Sequence, residues 1–188
     1  NVVFNEYYQK KDKTLEPLKT PGVDTGMGFE RLLAVLQGAD DVFETDVLHP
    51  LVSVVCELAP GKEKRVVRVL ADHIRAAVFL IADGVRPSNK EAGYVLRRLV
   101  RRMFAYQTVH DIHEGLFERG FEAVALKFGA FYPETKDPRV LEVLQAEQEK
   151  FSRAVAGGVK ELGRLKERGA PVSAQEAFYL YESFGLPY

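Results

Sequence analysis

Four arginines, Arg97, Arg98, Arg101 and Arg102, fall within six residues of a segment whose pattern predicts a helix over 91–106. Val95, Leu96, Leu99, Val100, Met103 and Phe104 recur at helical spacing and define a stripe to be buried, with the arginines on the opposite side. Guanidiniums four residues apart repel by about a few tenths of a kcal/mol per pair, and an anion relieves that repulsion. Carboxylates elsewhere in the fold would do so, and so would phosphates, to which the planar arginine fork donates two parallel hydrogen bonds. Just ahead of the helix lies Pro87-Ser88-Asn89-Lys90-Glu91. Ser88 and Glu91 have the spacing of a capping box, and capping by Ser88 leaves the Asn89 amide, a donor and an acceptor together, able to read a base edge.

A second constellation is Asp24 followed by Gly26-Met27-Gly28-Phe29-Glu30-Arg31. A glycine pair at a strand-to-helix junction fits many turns, and it also lets a flat or phosphorylated ligand approach the backbone. Arg31 would add charge to that site, and Asp24 a carboxylate for an ammonium group. His110 and His113 have a spacing that metals tolerate but no further ligands, so they read as solvated turn residues; His73, in a near-continuous apolar segment, reads as a satisfied core histidine. No Ser/His/Asp set or isolated carboxylate pair marks a hydrolytic site.

The elements that must position these groups are mostly helical. Residues 1–9 are β-branched and aromatic and predict a strand, 10–14 a polar turn, and Pro17 to Gly22 a further break. A second strand running into Asp24–Gly28 pairs antiparallel with the first. Phe29, Leu32, Leu33 and Leu36 then predict a helix to Gln37, ended by Gly38. Further helices are expected over 65–83, stopped by Gly84, over 114–131, and from an Asp137 cap and Pro138 to about Arg168. Leu141, Leu144, Phe151, Val155, Leu162 and Leu165 form a seam on this last helix, better suited to antiparallel packing than to a dimeric coiled coil because Gly157-Gly158 interrupt it. Ser173 to Glu176 is a second capping box, opening a short helix that stops near Gly185-Leu186-Pro187. The fold class is therefore mainly α, a helical body preceded by a short antiparallel β remnant.

Composition bounds what such a chain does. Its 188 residues are 46% hydrophobic and 28% charged, enough for a real core. The longest apolar run, Ala76 to Ala82, is far short of the roughly 20 residues that cross a bilayer. The single cysteine, Cys56, excludes a disulfide framework and a thiolate zinc cage. A soluble, intracellular protein, or a piece of one, is expected. The net charge is only −1, yet residues 62–102 carry +7 and the remainder −8, an asymmetry that marks either a polyanion-binding face or a well-solvated helix pair.

Several of these segments resemble one family. Val23 to Arg31 is similar to the third signature motif of class II aminoacyl-tRNA synthetases, in the form peculiar to the alanyl family, and Asn1 to Phe4 to the strand before it. Ala71 to Arg75, Phe79 to Val85, Pro87-Ser88-Asn89, and Gly93 to Arg98 with Arg101-Arg102 resemble that family's most recognisable stretch. Ala177 to Pro187 resembles the segment closing its tRNA-recognition region. The resemblance implies that residues 1–38 are the C-terminal edge of a catalytic core and 39–188 a helical tRNA-recognition domain. By the same resemblance, Arg31 with Gly26 and Gly28 would hold ATP, Asp24 the amino group of alanine, and Asn89 would read the G·U wobble pair of the tRNA(Ala) acceptor stem. Arg97, Arg98, Arg101 and Arg102 would follow the stem backbone. A partner carboxylate, aspartate in the family, falls at about Glu182, one methylene longer. The parent enzyme, a cytoplasmic alanine–tRNA ligase, would use ATP and Mg²⁺; the stretch alone, lacking the other two motifs, would form no alanyl-adenylate. It would bind no metal, and zinc would belong to an editing domain outside it. From the residues alone, a helical protein-interaction module docking through the 141–165 seam is the competing expectation.

Overall fold

The computed structural model describes residues 2–113, 115–169 and 171–184. Among them are two β-strands and seven α-helices, in two compact units that divide between Leu48 and His49.

In the first unit, β1 (Val2–Gln9) and β2 (Leu15–Thr25) form an antiparallel hairpin in which Val3 faces Asp24 and Gln9 faces Leu15. The break expected at Pro17–Gly22 is instead an irregularity inside one continuous strand: Asn5 pairs with Gly22, but Tyr7 with Pro17. Prolines withdraw donors from the ladder, and the surplus residues on β2 are accommodated as a bulge rather than a strand end. Helix α1 (Phe29–Gln37) follows and ends at Gly38 as expected. Its apolar stripe is not buried within this unit, for Phe29, Leu32 and Leu36 are exposed, together with Val3, Phe4 and Tyr7 of the hairpin. Gln37 clips the following turn, its side chain donating to Asp46 Oδ1 and accepting from the Asp46 N–H.

The second unit is built around α3 (Lys64–Ala82), which packs against α2 (His49–Leu58), α4 (Glu91–Val109), α5 (Leu116–Phe128) and α6 (Arg139–Glu167). Its residues are buried on nearly every side, from Val66 and Val67 through Leu70, Ile74 and Val78 to Ile81, which is why its second half reads as apolar all round. Gly84, at φ +90, makes the left-handed stop that a side chain would strain. Phe104 ties three helices together, lying 4.5 Å from the Phe117 ring and 6.0 Å from Phe151.

Helix α2 has no forewarning in the pattern, because Val52, Val54 and Val55 favour extended chain; packing of Leu51 and Val55 into the core overrides that propensity. The helix expected over 114–131 is shorter, with a 3-10 turn at Pro133–Lys136 after it. Helix α6 begins one residue later than expected, with Pro138 rather than Asp137 at the N-cap, although Asp137 Oδ1 still accepts from the Arg139 N–H at 2.9 Å. Its seam is partly displaced. Leu144 and Phe151 are buried and Val155 packs on the core, but Leu141, Leu162 and Leu165 are only half-buried, and the fully buried line includes Val140 and Glu147. Helix α7 (Ala174–Phe184) packs on α6 and opens with the expected capping box, Ser173 Oγ accepting from the Glu176 N–H while Glu176 Oε2 accepts from the Ser173 N–H. Its expected stop at Gly185–Pro187 lies outside the described residues.

Candidate nucleic-acid interface

The chemistry of the second unit gathers where the loop after α3 meets α4. Arg86 turns back onto α3, its guanidinium donating to the Ile81 and Val85 carbonyls. The Ser88 N–H then donates to the Gly93 carbonyl at 3.0 Å, folding the loop against the first turn of α4. Gly93 makes this approach possible: a Cβ there would lie 2.5 Å from the Arg86 carbonyl oxygen and closer still to Ser88 Oγ. The capping box expected at Ser88–Glu91 does not form. Ser88 Oγ bonds the Lys90 backbone instead, Lys90 occupies the helix N-cap without a side-chain cap, and Glu91 takes a left-handed φ of +50. The serine is spent on tightening the loop, two residues too early to cap the helix.

Asn89 therefore sits on a braced loop, but it is not wholly free. Its Oδ1 accepts from Arg97 Nη1, while Arg97 Nη2 donates to the Pro87 carbonyl at 3.1 Å. One guanidinium thus spans both ends of the Pro-Ser-Asn element. The amide Nδ2 has no partner among the described residues.

The arginine face divides in two. Arg101 Nε donates to Glu147 Oε1 at 2.9 Å, and Arg97 Nε lies 3.3 Å from the same oxygen, within ion-pair range but out of line for a hydrogen bond. Glu147 is 2% exposed. A single buried carboxylate from α6 thus answers half of the expected ridge, and the Arg101 guanidinium also lies 5.9 Å from the Phe151 ring centroid. Arg98 and Arg102 are exposed and meet no carboxylate among the described residues; Arg102 rests over the Tyr106 ring at 5.6 Å. The buried stripe beneath them is Leu96, Val100, Met103 and Phe104, whereas Val95 is exposed and Leu99 half-buried. Glu147 escaped the sequence reading, although one signal was present: it is the charged residue on the i, i+4, i+7, i+11 line of Val140, Leu144 and Phe151.

Glu182 is exposed on α7 with no partner among the described residues. In the first unit, Asp24 is the last residue but one of β2 and Arg31 lies in the first turn of α1, both exposed and likewise without a partner among the described residues. Gly26 and Gly28 lie in the short connection between them, where a Cβ at Gly28 would only graze the Arg31 stem at 3.6 Å. The backbone there is open to an approaching ligand.

The histidines do different work. His73 is 9% exposed; its Nδ1 bonds Asp72 Oδ2 at 3.0 Å and its Nε2 is buried with no partner among the described residues, which satisfy the core histidine at one nitrogen. That bond holds the Asp72 carboxyl below its ordinary pKa, although burial pushes the other way. His113 Nδ1 accepts from the Gly115 N–H, and His110 lies beside Tyr106. Among the described residues, no group of three or more His, Cys, Asp or Glu is placed to hold a metal ion, and no helix is long and apolar enough to cross a membrane.

Comparison with known proteins converges on one description. The family model for class II tRNA synthetases of type A matches residues 1–188. The alanine–tRNA ligase of Thermotoga petrophila is 40% identical over 195 residues, spanning all of this chain and 23% of that protein. The alanine–tRNA ligase of Methylococcus capsulatus is 41% identical over 193 residues, again spanning the whole chain and 22% of the relative. In Elusimicrobium minutum the corresponding identity is 36%. The chain thus spans less than a quarter of the length of the curated relatives it matches.

Proposed function

We propose a function on one established premise, that the chain belongs to the class II (A) tRNA synthetase family: it is the acceptor-stem recognition portion of a cytoplasmic alanine–tRNA ligase, joined to the third motif of that enzyme's catalytic core. In this reading Asn89 reads the G·U wobble pair of tRNA(Ala), with Glu182 as its partner carboxylate. The arginine helix follows the stem backbone, Arg98 and Arg102 meeting phosphates directly. Residues 1–38 form the edge of the core, where Arg31, with the opened backbone at Gly26 and Gly28, holds ATP, and Asp24 holds the amino group of alanine.

The observation that carries the reading is the braced Pro87–Asn89 element, with an amide nitrogen lacking a partner among the described residues at the tip of a helix that bears exposed guanidiniums. Side-chain amides are suited to base edges and arginine forks to phosphates, so both halves of an RNA contact lie on one helix. In support of the core assignment, the hairpin leaves Phe4 69% exposed amid other open apolar side chains, the kind of surface that a larger sheet covers. The parent reaction uses ATP and Mg²⁺. The described residues offer no cluster of His, Cys, Asp or Glu fit for the metal.

The competing protein-docking reading has less surface to use, because Leu144, Phe151 and Val155, half of that seam, pack into the molecule's own core while Leu141, Leu162 and Leu165 are half-buried. The decisive experiment is a titration of the chain with acceptor-stem hairpins differing only in G·U against G·C at the wobble position. Tighter binding of the G·U hairpin, lost in Asn89→Ala, is expected; equal binding of both by the unaltered chain refutes the reading.

A further inference from the structure

We infer that Glu147 is a positioning residue for RNA recognition: through Arg97 it fixes the Asn89 amide in the orientation that reads the stem. The inference rests on the reading of Asn89 given above.

A guanidinium is planar, and its donors form a rigid fork, so fixing one edge fixes where the others point. Arg97 has its Nε edge drawn toward Glu147 Oε1 at 3.3 Å, and its two amino groups engage the Asn89 side chain and the Pro87 carbonyl. Arg101, one turn on, donates to the same oxygen at 2.9 Å. Glu147 itself has little freedom, being 2% exposed and flanked on α6 by the buried Leu144 and Phe151. The rigid core thus reaches the loop in two steps, carboxylate to guanidinium and guanidinium to amide. Asn89 Oδ1 is occupied by this relay, so the held amide presents its Nδ2 donors outward.

Neutralising the carboxylate has two separable consequences. Arg97 and Arg101 become an uncompensated pair whose mutual repulsion favours swinging outward, where they meet any phosphate. The amide loses its brace at the same moment. Glu147→Gln is therefore expected to bind both hairpins at least as tightly as before with a steeper salt dependence, while the preference for G·U over G·C falls roughly tenfold, the equivalent of about 1.4 kcal/mol. A purely structural defect would weaken both hairpins and leave their ratio unchanged.

The test is titration of the chain and its Glu147→Gln, Asn89→Ala and doubly substituted variants with the two hairpins at several salt concentrations, helix content being checked by circular dichroism. Loss of the ratio in Glu147→Gln, with no further loss in the double variant, supports the inference. An unchanged ratio in Glu147→Gln, when Asn89→Ala abolishes it, overturns the role of Glu147 and leaves the reading of Asn89 standing. An unchanged ratio in Asn89→Ala overturns both. Should Glu147→Gln fail to fold, Arg97→Lys decides: it keeps a cation for the carboxylate but cannot span Asn89 and Pro87, so a retained G·U preference refutes the relay and a lost one supports it.

Discussion

Replacing Gly93 by alanine sets two well-defined effects against each other. In a helix interior alanine is favoured over glycine by about 1 kcal/mol, so if Gly93 were an ordinary helical position the change would stabilise the protein. The structure requires the opposite sign. The new Cβ would lie 2.5 Å from the Arg86 carbonyl oxygen, and a backbone group cannot turn aside as a flexible side chain can. It would also overlap Ser88 Oγ, on the loop that the Ser88–Gly93 hydrogen bond closes. Overpacking costs about 1–3 kcal/mol, and the upper part of that range applies where backbone is struck, leaving about 2 kcal/mol of net destabilisation after the helical gain. Urea unfolding followed by far-UV circular dichroism measures this, and hairpin titration reads the accompanying loss of G·U preference as the loop carrying Asn89 is pushed away. Gly120→Ala is the control: the atoms nearest its Cβ are Ile74 side-chain carbons, the closest two at 2.9 and 3.0 Å, so it strains the core away from the Pro87–Asn89 loop. A Gly93→Ala protein that is more stable than its parent and equally selective would refute the account of the loop.

Arg98→Ala and Arg102→Ala should each weaken both hairpins alike and reduce the salt slope by about 1, read from binding across a salt series. Phe151→Ala, which removes a buried ring packed between Phe104 and the Arg101 guanidinium, should cost about 3–5 kcal/mol in urea unfolding. The Glu176 carboxyl is drawn down to about 2 from an ordinary 4.5, first by Arg168 and then by its bonds to Ser173. A carboxyl lowered in the folded state stabilises above its unfolded pKa. The start of α7 should therefore hold above pH 4.5 and loosen as pH falls toward 2, seen as a lower amide-exchange protection factor at Ser173 and Glu176 relative to the unstructured rate at each pH, and Glu176→Gln should remove that dependence.

What could be read in advance follows a physical division. The hairpin, α1, α3, α4, α6 and the cap of α7 were legible because each has a local cause: β-branched alternation, an apolar stripe, a stop glycine, or an Asp or Ser with the right spacing. Helix α2 was not, because its valines favour extended chain and only the packing of Leu51 and Val55 decides against them. The Ser88 box failed for a related reason. Its spacing was correct, yet Ser88 is held by Gly93 and Lys90 in a loop closed by tertiary contacts. The arginines were found and their open half, Arg98 and Arg102, was rightly exposed, but the fate of Arg97 and Arg101 depended on Glu147, 46 residues beyond Arg101 in the chain. No local window holds that pairing.

That pairing also bears on why a charge sits in the core at all. Burying a carboxylate costs several kcal/mol, and the attraction of its partners often does no more than offset it, so an apolar side chain at position 147, between Leu144 and Phe151, would serve stability as well. Stability therefore does not explain Glu147, whereas geometry does. It gathers two of four mutually repelling guanidiniums at one oxygen, 2.9 and 3.3 Å away, and leaves the other two pointing to solvent. A helix face that would otherwise be a uniform cationic patch, indifferent to sequence, is divided into a pair free to meet phosphate and a pair bound inward, one of which holds an amide. On the proposed reading, affinity and selectivity then fall to different arginines of the same two turns, and the carboxylate on α6 makes the assignment.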